Sequence, residues 1–247
     1  MPSAVHNTIS TSPSQLPSAT RAHACSAGQF QHAAFSGDAR FGHATFSGNA
    51  GFVGAAFSST AWFQRATFSG ETRFQHATFS GEAKFERATF CGDVRFRHVT
   101  FSGEAWFMEA TFSDVAWFGG ATFSGNARFE HVTFSDAADF GGTTFSGTTW
   151  FGDATFSGSA GFVGARFFGE AWFMAATFSV DAGFEGVAFA GETRFERADF
   201  GAETVSFVGP LQWGPPTPVF DWDEDVTRKP ANVQPENWPP TVAAVVE

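Results

Sequence analysis

The 247-residue chain has no tyrosine and two cysteines, and its 14 basic residues are outnumbered by 25 acidic ones. Each shortage excludes something. Cys25 and Cys91 cannot form the multi-bridge framework of a small secreted domain, and Cys91 takes the serine place of an otherwise regular FSG unit, so a reducing compartment is expected. The formal charge of −11 distributes as +1 over residues 1–27, −8 over 28–207 and −4 over 208–247. Direct nucleic-acid binding is disfavoured, because affinity for a phosphate backbone comes from clustered Lys and Arg. The opening MPSAVHNTISTSPSQLPSAT lacks a basic start followed by an apolar run, and no stretch approaches the ~20 apolar residues that span a bilayer. A soluble, cytoplasmic protein without membrane contact is expected.

Catalytic signatures are missing too: no glycine-rich phosphate loop between strand and helix, no nucleophile elbow, no paired cysteine motif. Ser and Asp are so frequent that any apparent triad is background. Asp221, Asp223 and Asp225 begin like a calcium loop, but Val226 stands where that loop needs Gly and Asn232 where it needs Glu. His32, His43, His76, His98 and His131 recur two places after a Phe and read as solvent-facing turn residues, with His76 and His98 expected on opposite faces. No enzyme activity, cofactor or metal is expected.

What the chain does have is phenylalanine on a strict count. Thirty-two of its 35 Phe, from Phe30 to Phe200, are separated by alternating steps of five and six. The residue two before each Phe is nearly always Ala, Val or Thr, as in Ala44-Thr45-Phe46 and Val132-Thr133-Phe134. In a strand, positions two apart share a face, so the small residue and the Phe fill an interior while the residues between decorate the outside. Helix is a poor rival: a mean period of 5.5 puts successive Phe about 190° apart on a 3.6-residue helix, and the recurrent Gly would each cost ~1 kcal/mol. The Gly of each FSG triplet is read as turning the chain at a corner.

Units such as AKFER, ATFCG, AWFME and ATFSG resemble the pentapeptide-repeat family over about residues 28–207. The resemblance implies an all-β, right-handed four-sided β-helix. A sixth residue precedes every second unit (Glu71, Glu82, Asp93, Glu104, Asn126), so a coil of two double units should hold 22 residues and the chain about eight coils. Internal matches arbitrate only partly: GEAWFMEATFS and GEAWFMAATFS lie 66 apart and NAGFVGA and SAGFVGA 110 apart, even multiples of eleven, whereas GETRF recurs after 121. At ~4.8 Å per coil the rod should be about 38 Å long. Residues 1–27 read as a disordered arm and the Pro/Trp-rich 208–247 as a cap carrying Trp213, Phe220, Trp222 and Trp238 onto the last coil, either its own or another subunit's.

Residues 22 apart should stack, which yields three surface columns. Arg40, Trp62, Lys84, Trp106, Arg128, Trp150, Trp172 and Arg194 alternate cations with indoles, flanked by Met108 and Met174. Exposed Trp and Arg anchor protein partners, and they also stabilise one another through cation–π contact. Glu82, Glu104, Glu170 and Glu192 form an acidic corner. Some members of the resembled family bind type II topoisomerases as duplex mimics and protect them from inhibitors, so the resemblance implies a topoisomerase as one partner, although interspersed Arg breaks up the acidity here. Thr45, Thr67, Thr89, Thr111, Thr133, Thr155 and Thr177, each with Ser or Cys91 two places on, form a hydroxyl ladder of the kind an ice-binding face needs, although Thr is also simply a good strand former. The expected function is a non-enzymatic interaction module presenting a rigid repeat surface to a protein partner; the alternatives are DNA mimicry toward DNA gyrase and ice binding. A homodimer through a solenoid end is a further partner expectation.

Overall fold

The computed structural model describes residues 20–21, 24–25 and 28–244. Two-residue strands recur every five or six positions, and each pairs in parallel with the strand 22 residues on: Ala83 with Ala105, Thr89 with Thr111, Thr72 with Val94, Thr78 with Thr100. They assemble into four sheets of nine, eight, ten and nine strands, so the chain is a four-sided all-β solenoid of about eight coils. The first face runs from Thr20–Arg21 to Thr193–Arg194, the second from Ala24–Cys25 to Thr177–Phe178, the third from Gly28–Gln29 to Val233–Gln234, and the fourth from Ala34–Phe35 to Gln212–Trp213. The GETRF pair offset by 121 is accommodated by this geometry: Thr72–Arg73 lies on the third face and Thr193–Arg194 on the opposite first face.

The interior is built of phenylalanine columns. Phe63, Phe85, Phe107 and Phe129 stack with ring centroids 4.8–4.9 Å apart and planes within 1° of parallel. That spacing is the hydrogen-bonding distance between parallel strands, so the backbone ladder and the ring stack demand the same rise. Neighbouring columns meet edge-on, as in Phe107 against Phe118 at 5.6 Å and 89°, the arrangement the ring quadrupole favours. Small residues fill the remaining space; Ala83, Ala105 and Ala127 are fully buried. Thr143, buried where most coils place Ala or Val, donates its hydroxyl to the Phe118 carbonyl at 2.9 Å.

Two kinds of corner alternate. After the first Phe of each pair, a tight turn closes with a backbone bond, such as Ala44 N–H to the Phe41 carbonyl, and its third residue is left-handed. Eleven such places hold non-glycine residues, from His32 at φ 55° to Arg197 at φ 59°, so the recurrent histidines are turn residues. The FSG corner works differently from the turning role expected for its glycine. Gly103 is not left-handed; a Cβ there would lie 2.6 Å from the Gly81 carbonyl oxygen one coil below, and Gly125 and Gly191 meet the same obstacle. Glycine is required at these corners so that coils can approach, not so that the chain can turn.

At both ends the 22-residue step drifts. Thr20–Arg21 and Ala24–Cys25 pair with Ala39–Arg40 and Thr45–Phe46, so strand pairing begins before residue 28; the rest of 1–27 lies outside the described residues. Toward the C-terminus Val205 pairs with Ala182, Gln212 with Ala188 and Val219 with Arg194, the loop lengthening by one residue each time. Phe220 still stacks on Phe195 at 4.8 Å, Trp222 packs on Phe200, and Trp238 stands edge-on to Phe220 at 5.0 Å and to Trp213 at 5.7 Å. Asn232 Nδ2 donates to the carbonyls of Phe200 and Glu203, satisfying backbone acceptors at the open edge.

Candidate functional site

The first face brings the cation–indole column together. Lys84 Nζ lies 4.5 Å from the ring centroids of both Trp62 and Trp106, and the Arg128 guanidinium lies 5.6 Å from Trp106 and 4.8 Å from Trp150. Five consecutive rungs therefore form one continuous stack. The alternation breaks where Trp150 and Trp172 are adjacent, and Arg194 then sits 5.3 Å over Trp172. Arg40 at the other end is exposed and reaches Asp38 at 3.4 Å. Because each cation lies between rungs and over ring faces, those faces point along the rod; the Trp106 N–H turns to Glu104 and the Trp62 N–H is buried. Lys84 is only 13% exposed, as expected when two indoles sandwich it. Met108 and Met174 lie half-buried along the corner beside this face, and Glu130 shares that corner. Burial raises the Glu130 carboxyl above the ordinary range; its own backbone and Arg128, 4.0 Å away, only partly offset this.

The acidic corner adjoins the first face and is largely spoken for. Glu82 pairs with Lys84 at 2.9 Å and Glu192 with Arg194 at 2.6 Å. Glu104 accepts from the Trp106 indole at 2.8 Å and from Asn126 at 3.2 Å, and Glu170 accepts from Thr148 at 3.4 Å. Asn126 and Thr148 occupy the rungs between Glu104 and Glu170, so the four carboxylates form two separated pairs.

The hydroxyl ladder occupies the second face. Thr67 pairs with Thr45 and Thr89, and the register continues through Thr111 and Thr133 to Thr155 and Thr177. The Thr side chains from Thr67 onward are half-buried and the accompanying Ser exposed. A shorter run, Thr78, Thr100, Thr122 and Thr144, stands on the fourth face and ends at Arg166 and the exposed Phe168.

Sequence reasoning missed a second polar cluster on the third face. Glu71 bridges Arg73 and Arg95; hydrogen bonding to Arg73 is the chief reason its carboxyl lies below the ordinary range. Above it the Arg97 guanidinium lies 4.3 Å over Trp117 and 3.5 Å from Asp139. Arg73, Arg95, Trp117 and Asp139 follow the same 22-residue count, so the signal was present in the series not followed. Two other expectations are resolved. His76 and His98 do not lie on opposite faces: 22 residues apart, they stack at 5.3 Å on one corner. Asp221, Asp223 and Asp225 do not converge; they accept from the backbone N–H of Arg197, Phe220 and Thr227 respectively. Among the described residues no cluster of three or more metal-ligating side chains occurs, and no helix is long and apolar enough to cross a membrane.

No curated protein matches the chain. A solved structure of trypsin-treated QnrB1, described as a plasmid-mediated fluoroquinolone resistance protein, aligns at 16% identity and a TM-score of 0.23, covering 74% of this chain and 85% of that one. The family description "Pentapeptide repeats (9 copies)" matches in overlapping segments from 30–78 to 140–188. With well over half its length so covered, the chain belongs to the pentapeptide-repeat family.

Proposed function

We propose that the protein is a non-enzymatic binding rod that offers its first face to a protein partner. The observation that carries this reading is the Trp62–Lys84–Trp106–Arg128–Trp150 stack, held rigid by an in-register parallel sheet. Aromatic and Arg side chains that are already ordered lose little conformational freedom on association, which is why such residues dominate interface energetics. The half-buried indole rims suit apolar side chains of a folded partner, and the guanidinium groups suit its carboxylates and backbone carbonyls. Flat ligands that stack on exposed ring faces fit poorly, because the cations already cover those faces. The test is capture from lysate by the immobilised full chain beside a Trp106→Ala/Arg128→Ala variant of unchanged circular dichroism. A protein retained only by the unaltered rod supports the reading; identical retention by both, or none by either, overturns it.

A topoisomerase partner is the narrower version, resting on the acidic corner. Pairing of Glu82 with Lys84 and Glu192 with Arg194 reduces the likeness of that column to a run of phosphates, so it is placed second. A gyrase supercoiling assay with and without a quinolone decides it. Rescue that disappears in Glu104→Gln/Glu170→Gln assigns the corner as the contact, and no rescue at micromolar rod removes topoisomerases from the partner list.

A further inference from the structure

We infer that the second face is a water-ordering surface that adsorbs to ice, independently of any protein contact on the first face. Seven consecutive rungs present Thr followed two residues later by Ser, with Cys91 in one serine place, and none of these outward positions carries a charge. The charged residues beside it lie off the face, at a flanking corner in the bidentate Arg87–Glu109 pair at 2.9 Å and on the neighbouring third face in Arg73, which pairs with Glu71. Rung spacing is reported by the inward Phe of the same strands: 4.7 Å from Phe46 to Phe68, 4.8–4.9 Å from Phe68 through Phe134, and 5.0 Å on to Phe156 and Phe178. That repeat lies within a few tenths of an ångström of the oxygen repeat along the a axis of hexagonal ice. Along each strand the Thr and Ser stand about 6.6 Å apart, two residues of extended chain.

A second observation points the same way. From Thr67 to Thr177 the ladder hydroxyls enter no side-chain hydrogen bond, whereas the buried Thr143 and Thr193 bond to backbone carbonyls. The Thr hydroxyls from Thr67 to Thr177 are therefore left for water, at fixed positions set by the sheet. Water held at that spacing matches a growing ice front, and ice advancing between adsorbed rods must curve, which lowers its local freezing point. The fourth face supplies an internal comparison: its Thr run stops after Thr144, where Arg166 and the 54%-exposed Phe168 interrupt it.

The experiment is thermal hysteresis and ice-crystal habit with the purified full chain, beside Thr111→Lys on the second face and Thr122→Lys on the fourth, with circular dichroism to show retained fold. The unaltered chain and Thr122→Lys should show a hysteresis gap and faceted crystals; Thr111→Lys should lose both. No hysteresis in the unaltered chain overturns the inference, as does equal loss in both variants or full activity in Thr111→Lys.

Discussion

Lys84 stands midway between Trp62 and Trp106, 4.5 Å from each ring centroid, and its ammonium also pairs with Glu82 at 2.9 Å. At 13% exposure the cation is largely withdrawn from water, so its attraction to two rings is less screened than at an open surface. Lys84→Met keeps the chain length and removes the charge. The expected loss is about 1–2 kcal/mol, from roughly 0.5–1 per ring. A double-mutant cycle with Trp106→Leu isolates the pair, and a coupling below ~0.3 kcal/mol would show that the stack is packing alone.

The two corner types predict opposite tolerances for the same substitution. Gly103→Ala places a Cβ 2.6 Å from the Gly81 carbonyl oxygen, so coils must separate and ladder bonds lengthen on both sides. Gly142 is left-handed at φ 63° with nothing within 4 Å of an added Cβ, and Ala175 already occupies an equivalent corner place at φ 56°. Gly142→Ala should cost about 1 kcal/mol of backbone strain, and Gly103→Ala at least twice that. Thermal midpoints of the two variants give the comparison; a lower midpoint for Gly142→Ala would refute the assignment of corner roles.

The Phe count and the small residue two places before it give the short strands, the inward face and the eleven-residue double unit, because these are consequences of one register repeated without error; the four sides are what the family resemblance implies. Surface geometry was legible only where the same arithmetic was applied to a whole series. It places Lys84 between Trp62 and Trp106, and the same count sets Trp117 on Arg95 and His98 on His76, the last against the expectation of opposite faces. Pairing of the acidic corner was not readable, since Glu104 turns to the Trp106 indole two residues on through side-chain torsions that no spacing encodes. The backbone contact that demands Gly103 is equally hidden, because it arises from the coil below.

Glu130 gives the chain a pH signature of unusual sign. Burial raises its carboxyl above the ordinary value near 4.5, so the folded state holds a proton that the unfolded chain releases first. Stability from this group is therefore present below the unfolded value and is lost as pH rises through the folded one. Glu130→Gln, neutral at all pH, should raise the thermal midpoint at pH 7 relative to the unaltered protein and leave it little changed at pH 4. Glu109 contributes the opposite slope: hydrogen bonding to Arg87 holds its carboxyl below the ordinary range, so its contribution is present above the unfolded value and fades as pH falls through the folded one. A Glu130→Gln variant less stable at pH 7 than at pH 4, each relative to the unaltered chain, would reverse the argument.

The C-terminal lid should act locally. Trp238 meets Phe207, Trp213, Phe220 and Trp222, at centroid distances between 5.0 and 5.9 Å, closing the end of the Phe columns. In a solenoid each coil touches only its neighbours, so removing this contact loosens the last coil without a direct route to the middle. Trp238→Ala leaves the Phe220 and Trp222 rings uncovered and should cost about 2–4 kcal/mol at that end, the range for deleting a large, partly buried aromatic. Hydrogen exchange separates this from a global effect. Amides of 205–222 should exchange faster by orders of magnitude, whereas those of 100–112, some four coils away, should keep their protection. Equal acceleration in both segments would mean that the rod unfolds as one cooperative unit and that the lid secures the whole column rather than its last turn.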